Sequence, residues 1–118
     1  MPPEKDDAAY LWDMLDASRA VMQFLAGRTF HEYQNDRMLR NAVERNIEII
    51  GEAAGKVSET LKAAQPEIPW RGIIGQRNVI AHDYGEIKND KIWRVAVEFV
   101  PVLVANLEKL VPAVPQDS

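Results

Sequence analysis

The sequence predicts an all-α fold, an antiparallel bundle of four to five helices, and three observations support this prediction. Apolar residues recur at spacings of three and four along most of the chain, which is the period of an amphipathic helix. No stretch shows the regular alternation of apolar and polar residues that marks a half-buried strand. Short links rich in glycine, proline or capping residues separate the periodic segments, as they do in antiparallel bundles.

Length and composition predict a single domain. A chain of 118 residues that is 47% hydrophobic can build one core. No apolar run approaches the roughly 20 residues that a membrane helix needs, and the polar segment Met1–Asp7 lacks the apolar centre of a signal peptide. We therefore expect one helical domain over residues 1–118, ordered over about 7–110, in the cytoplasm.

Charge and cysteine content restrict the kinds of site. The chain has no cysteine, which excludes disulfides and thiolate metal sites. A net charge of -4 argues against a protein that grips nucleic acid by bulk charge alone, although a local basic cleft stays compatible with it. No Asp, Glu and His residues cluster at ligand spacing, so neither a metal nor a cofactor is expected.

The first helix is predicted over about Asp6 to Ala26, and Gly27 is a plausible stop. Its apolar stripe, which Ser18 interrupts, consists of Leu11, Leu15, Met22 and Leu25. Thr29 and Glu32 then have the spacing of a capping box, which predicts a short helical turn.

The long second helix is the clearest helical signal in the chain, and it should open near Asn35 or Asp36. Its stripe consists of Leu39, Val43, Ile47, Ile50, Ala54, Val57 and Leu61. Gly51 and Gly55 each weaken a helix by roughly 1 kcal/mol, but their missing side chains allow a neighbouring helix to come close.

The segment Pro66–Trp70 breaks the helical pattern, because two prolines this close rule out an ordinary helix interior. A shorter third helix is predicted over about Trp70 to Asp83, ending near Gly85.

The last helix should open near Asn89 or Asp90, both of which are good caps. Pro101 lies inside it and cannot donate to the carbonyl of Val97, so we expect a kink there. The prolines beyond this helix predict a frayed tail over residues 112–118.

The chain has two histidines, His31 and His82, and their sequence neighbours differ. His31 lies beside the capping box and is interpreted as a surface residue. His82 follows Arg77 by five residues and Asn78 by four, and Tyr84 comes two residues later.

These side chains are sufficient for cleaving an RNA phosphodiester bond without a metal. A histidine can act as base or acid near neutral pH because its ordinary pKa is about 6.5. An arginine fits phosphate oxygens with two parallel donors, and a tyrosine can donate to phosphate or stack on a base. Such a short motif is weak by itself, however, and also fits the end of an amphipathic helix with an ordinary histidine.

Helical geometry complicates the site. At about 100° per residue, Arg77 and Tyr84 nearly share a face, whereas His82 lies roughly 140° from Arg77 and shares a face with Asn78. Either the helix ends before His82 or two subunits complete the site.

Several blocks together resemble a known family, the HepT-like HEPN ribonuclease toxins. Arg77–Tyr84 is similar to the Arg-x4-His-x-Tyr motif of that family. Ile49–Ala54 in the long helix, Pro66–Trp70 before the motif and Ile92–Trp93 after it also resemble the family, in the right order. The resemblance covers about Asp7–Leu110.

The resemblance implies a homodimeric helical bundle in which two motif copies face a shared cleft. It implies a metal-independent endoribonuclease that is the toxin of a toxin–antitoxin pair, with Arg77 and His82 catalytic. The implied partner is an MntA-type minimal nucleotidyltransferase, which neutralises the toxin by binding and by transferring AMP to a motif tyrosine. Tyr84 matches the motif tyrosine and is the implied acceptor, and Val79 stands where some relatives have a second tyrosine. Asn78 and Tyr84 are expected to contact the RNA substrate.

Other polar residues have two interpretations each. Glu52 supports the site by orienting Arg77 or His82, or else it bridges to Arg45 or Lys56. Basic residues along the long helix and on either side of the motif form either a rim that guides RNA or ordinary solvated surface: Arg37, Arg40 and Arg45 on the helix, and Arg71, Lys88, Lys91 and Arg94 beside the motif.

A second function from another class stays open. The chain could be a non-catalytic helical binding subunit of a two-component nucleotidyltransferase, with the motif as a docking surface, and the net charge of -4 fits this slightly better. Toxicity that His82→Ala relieves would favour the ribonuclease.

Overall fold

The computed structural model describes residues 6–111, and every regular element in that range is helical, which confirms the all-α prediction. The elements are α1 Asp7–Leu25, α2 Phe30–Gln34, α3 Arg37–Lys56, α4 Glu59–Ala64, α5 Trp70–His82, α6 Gly85–Arg94, a π-helical turn at Val95–Phe99, and α7 Val100–Leu110. The predicted tail over residues 112–118 lies outside the described residues. Among the described helices, none combines the length and apolarity needed to cross a membrane.

The centre of the bundle is the packing of α1 against α3. The carboxylate of Asp7, in the first turn of α1, accepts hydrogen bonds from the backbone N–H (2.8 Å) and the hydroxyl (2.6 Å) of Ser58, just beyond the end of α3. The start of α1 therefore lies beside the end of α3, so the two helices are antiparallel. Gly27 lies just after the end of α1 and has a φ of +74°, a conformation that glycine adopts without strain.

A single core cluster joins these helices to α5, α6 and α7. Its fully buried side chains include Met14, Leu15, Val21, Val43, Ile68, Ile92, Leu103 and Leu107. The predicted stripe of α1 was wrong at one position, since Met22 is 39% exposed. The buried face runs instead through Ser18, Val21 and Leu25, and Met22 lies at its edge.

The sequence predicted one long helix for the apolar stripe from Leu39 to Leu61, but the structure divides this stripe between α3 and α4. Asp36 caps α3, as expected, by accepting from the N–H of Leu39 at 2.9 Å. The helix ends at Lys56, however, and Ser58 caps the separate α4. The Ser58 hydroxyl accepts from the N–H of Leu61 and donates to Asp7, which gives the backbone an alternative to continuing the helix.

Two predictions for the second half of the chain had different outcomes. The helix Trp70–His82 matches the predicted one, and the indole N–H of Trp70 donates to the carbonyl of Gln65 at 3.1 Å. The next helix opens at Gly85 rather than near Asn89 or Asp90. A φ of +58° at Gly85 lets the chain turn directly from α5 into α6, and Asn89 is buried inside α6 instead of capping it.

A π-helical turn, Val95–Phe99, lies just before Pro101, where the sequence predicted a kink. The N–H of Val100 donates to the carbonyl of Val95, five residues earlier. This pattern leaves room for a proline, whose missing N–H removes one ordinary helical bond.

Candidate functional site

Helix α5 presents the predicted site residues to solvent. Arg77, Asn78 and His82 are exposed on it, and Tyr84 follows in extended backbone with 78% of its surface exposed. None of these four side chains makes a hydrogen bond or ion pair with another residue in the range 6–111. Their polar groups are therefore available to a ligand.

Arg77 is positioned by a close approach of α5 to α3 at Gly51. A Cβ placed on Gly51 would lie 3.2 Å from the carbonyl oxygen of Ile73 and 3.7 Å from Cγ of Arg77. The two helices can pack this closely because residue 51 has no side chain. The expectation of close contact is thus confirmed for Gly51, whereas a Cβ on Gly55 would meet no atom within 4 Å.

The position at which α5 ends corrects two expectations from helical geometry. The helix continues through His82, so the alternative that it ends before this residue was wrong. The N–H of Asp83 still bonds to the carbonyl of Val79, and only then does the backbone become extended. Arg77 and His82 therefore keep their angular separation of roughly 140°. Tyr84 lies outside the helix and does not share a helical face with Arg77.

The link between α5 and α6, which carries Tyr84, is braced on both sides. Lys91 of α6 pairs with Asp83 at 2.8 Å. Lys88, one turn before Lys91, pairs with Glu44 of α3 at 3.3 Å in a largely buried contact. These ion pairs connect α6 to the link that precedes it and to α3.

Glu52 takes the second of its two predicted interactions. Its carboxylate lies 3.5 Å from the guanidinium of Arg45, and it makes no hydrogen bond to Arg77 or His82 within this chain. Lys56, the other predicted partner, lies 6.0 Å from the ring centre of Tyr10.

The aromatic residues near the site belong to the core. Trp93 packs against Phe30 and Tyr33, with ring centres 5.9 and 5.5 Å apart. Burial raises the pKa of the Tyr33 hydroxyl, and a weaker contribution comes from the charge of Glu44. Of the three tyrosines in the chain, Tyr84 is the one exposed to solvent.

The described residues contain no group of three or more His, Cys, Asp or Glu side chains that could hold a metal ion. His31 lies on the surface, as predicted, with its ring 3.4 Å from the amide of Asn35.

An apolar groove of about 450 Å³ between α3, α5 and the π-helical turn was not predicted from the sequence. Ile47, Gly72, Gln76 and Phe99 are among the residues that line it. The lining also includes Arg94 of α6 and Leu103 of α7. Because it comes from five separate elements, no local pattern reveals it. The groove does not include Arg77, Asn78, His82 or Tyr84.

The all-helical fold of residues 6–111 is consistent with a HEPN helical bundle. The family described as "Ribonuclease HepT-like" matches residues 14–110, and the chain belongs to this family.

Individual relatives agree with this assignment. The chain is 32% identical over 105 residues to a protein of Methanocaldococcus jannaschii named as a "Putative RNase", covering 89% of this chain and 96% of the relative. It is 33% identical over 101 residues to the "Probable ribonuclease HepT" of Thermococcus cleftensis, covering 86% and 92% of the two chains. No solved structure matches the chain significantly.

Proposed function

We propose that the chain is a metal-independent endoribonuclease whose site is built on α5 and the link that follows it. One observation carries this proposal: the polar groups of Arg77, His82 and Tyr84 are all exposed, and none has a partner among residues 6–111. Membership of the HepT-like ribonuclease family and the names of the relatives support RNA as the substrate of this site.

The chemistry assigns a role to each side chain. The imidazole of His82 takes the proton of a ribose 2′-hydroxyl or protonates the departing 5′-oxygen. The 2′-oxygen attacks the adjacent phosphorus, and the bond from phosphorus to the 5′-oxygen breaks. Arg77 donates to the phosphate oxygens, where negative charge grows in the transition state. Asn78 and Tyr84 contact the RNA beside the reacting phosphate.

Homodimerisation completes this site. An unbroken α5 directs Arg77 and His82 about 140° apart, so one helix does not bring both to a single phosphate. A second copy related by a two-fold axis brings the Arg77 of one subunit towards the His82 of the other.

Cleavage of RNA in EDTA by the purified chain tests the proposal. The wild type should cut structured and unstructured RNA, and Arg77→Ala and His82→Ala should not. His31→Ala and Arg37→Ala are matched controls, because each removes another exposed histidine or arginine, and they should keep full activity. All four substitutions are on the surface and should change stability by no more than about 0.5 kcal/mol.

The result that would overturn the proposal is retained cleavage by His82→Ala, or no cleavage by a wild type whose intact mass shows no modification. The second result would favour the alternative, a non-catalytic helical subunit that binds a nucleotidyltransferase. The net charge of -4 favours that alternative, because it disfavours binding of nucleic acid by bulk charge.

We further infer that the activity is that of a toxin, silenced by an MntA-type nucleotidyltransferase that transfers AMP to Tyr84. The Tyr84 oxygen attacks the α-phosphorus of ATP, a phosphodiester bond forms and pyrophosphate leaves. Because Tyr84 is 78% exposed and directly follows the motif, the added nucleotide places bulk and a negative charge where substrate phosphate would bind.

Co-expression with such a transferase tests the regulation. The wild-type chain should gain the mass of one AMP group and lose its toxicity and its RNA cleavage. Tyr84→Phe should gain no mass, whereas modification of Tyr84→Phe would place the acceptor elsewhere.

A further inference from the structure

Helix α5 differs in charge from the rest of the molecule. The chain carries 18 acidic residues and a net charge of -4. The 13 residues of α5 nevertheless contain two arginines, Arg71 and Arg77, and one histidine, with no aspartate or glutamate. The negative charge of the protein is therefore carried by other parts of the chain.

The two arginines of α5 also differ from most other basic residues in having no ion pair within residues 6–111. In the rest of residues 6–111, most basic side chains have a carboxylate partner: Arg19, Arg28, Arg45, Lys62, Lys88, Lys91 and Arg94. Arg40 donates to the carbonyl of Gln34, and Lys56 lies over an aromatic ring. Within residues 6–111, the basic side chains left without such a contact are Arg37, Arg71, Arg77 and Lys109. Helix α5 holds two of these four.

Arg71 lies on the same face of α5 as the proposed catalytic histidine. Arg71, Gly75, Asn78 and His82 follow one another at spacings of four, three and four residues, which places them in one stripe along the helix. Arg71, Asn78 and His82 are exposed. At 1.5 Å per residue, the stripe is about 16 Å long between Arg71 and His82.

The middle of this stripe is open. A Cβ placed on Gly75 would meet no atom within 4 Å, so the glycine is not explained by packing within the described chain. A glycine in a helix interior costs roughly 1 kcal/mol relative to alanine. Its effect here is to lower the surface between Asn78 and Arg71, which lets another backbone come close.

We propose that this stripe is the track along which RNA lies, and that Arg71 binds a phosphate several nucleotides from the bond that is cleaved. The inference rests on the proposed ribonuclease activity and adds a second phosphate site to it. A stacked strand advances about 3.4 Å per nucleotide, so about 16 Å corresponds to roughly five nucleotides, or fewer in an extended strand. The substrate is therefore a single-stranded segment long enough to reach both ends of α5.

A length series of RNA oligonucleotides tests the role of Arg71. Each contains one cleavable step and is extended on its 5′ side alone or its 3′ side alone. With Arg71→Ala, KM for the long substrates of one series should rise about tenfold at low salt, which is the effect of losing one charge-assisted phosphate contact. The kcat should not change, and dinucleotides should be cleaved as by the wild type. The slope of log KM against log salt should fall by about 0.7.

Lys109→Ala is the matched control. It also removes an exposed cation without an ion-pair partner among residues 6–111, but from α7, which packs against α1 and the π-helical turn. Its kinetics should equal those of the wild type for RNA of every length. The mass of each variant in solution should show the same oligomer as the wild type, which separates a lost phosphate contact from a lost interface.

Gly75→Gln gives a second readout, because a long side chain on the open stripe should block the RNA without disturbing the fold. Its thermal stability should not fall, since glutamine is the better helix former, while binding of a fluorescent 12-nucleotide RNA should weaken. Gly55→Gln, at the other open helical glycine considered above, should bind as the wild type does.

Suppose that the wild type is active and that Arg71→Ala has the KM and salt slope of the wild type on RNA of every length. This result would overturn the proposal that Arg71 binds RNA phosphate, but it would not contradict the proposed ribonuclease activity. If the wild type is inactive, the proposed function fails first. Binding of the fluorescent RNA still tests the proposed phosphate site in that case. An affinity of Arg71→Ala equal to that of the wild type rejects the site, and a weaker affinity supports it.

Discussion

At the scale of single residues, Gly51 is the position where the structure makes the sharpest stability prediction. In Gly51→Ala the new Cβ lies 3.2 Å from the carbonyl oxygen of Ile73, so α5 must move by a few tenths of an ångström. This strain should exceed the gain in helix propensity and destabilise the protein by about 1 kcal/mol. Because Arg77 also contacts this position, RNA cleavage should fall too.

Gly55→Ala is the internal comparison, since its Cβ meets no atom within 4 Å. That variant should be stabilised by about 0.5–1 kcal/mol. Urea unfolding of the two variants measures both effects. Equal stabilisation by the two alanines would contradict the close α3–α5 contact.

Residue-level predictions from the sequence succeeded where a local pattern carries the information. The surface position of His31, beside a capping box, and the close helix contact at Gly51, a glycine within a helical stripe, were both expected from the local sequence. The sequence could not decide between the two interactions of Glu52, because Arg45 and Arg77 lie on different helices and either could reach it. It also could not show that Arg71 lacks a partner, which depends on where every carboxylate of the fold ends up.

At the scale of helices and links, the contact between Asp7 and Ser58 makes stability depend on acid. The hydroxyl and backbone N–H of Ser58, helped by the charge of Lys62, hold the pKa of the Asp7 carboxyl below its ordinary value of 3.8. A carboxyl with a depressed pKa contributes stability that is complete above its unfolded pKa and is lost as the pH falls through its folded pKa.

Asp7→Asn should therefore unfold at lower temperature than the wild type at pH 7, and the difference should shrink below about pH 4. Asp16→Asn is the control, because Asp16 is exposed on the same helix and has no partner within residues 6–111. Thermal unfolding between pH 2.5 and 7 follows both. A difference between Asp7→Asn and the wild type that stays constant down to pH 2.5 would contradict the depressed pKa.

Helix boundaries were predictable where a cap and the periodicity agree. Asp36 and the capping box of Thr29 and Glu32 begin their helices as expected. The break at Ser58 was missed, because the apolar period continues across it and the competing acceptor, Asp7, is 51 residues away. The opening of α6 at Gly85 was missed because its glycine turn replaces a side-chain cap.

For the whole molecule, the proposed two-fold site predicts that two inactive variants restore each other. In a mixed dimer of Arg77→Ala and His82→Ala, one site regains both an intact arginine and an intact histidine. Unfolding and refolding an equal mixture should therefore recover about a quarter of wild-type cleavage, because half the dimers are mixed and each has one working site of two.

A mixture of Arg77→Ala with the Arg77→Ala/His82→Ala double variant should recover nothing. Native mass spectrometry confirms that mixed dimers have formed. If they form and stay inactive, each site takes its arginine and histidine from the same chain.

The overall architecture was the most predictable property, because helical periodicity and the order of the family blocks both extend over most of the chain. Assembly is a different matter. A sequence shows which faces are apolar within a helix, but the pairing of subunits depends on surfaces that several helices build together, as the apolar groove between α3, α5 and the π-helical turn illustrates.

The absence of acidic residues from α5 also has a consequence at the bench. A protein with a pI of about 5.2 migrates as an anion and should bind an anion-exchange column at neutral pH. The two arginines of α5, which have no carboxylate partner within residues 6–111, should nonetheless make it adhere to heparin and carry nucleic acid of the expression host through the first steps of purification. An elevated ratio of absorbance at 260 nm to that at 280 nm, removed by a high-salt wash, would be the first visible sign of that helix.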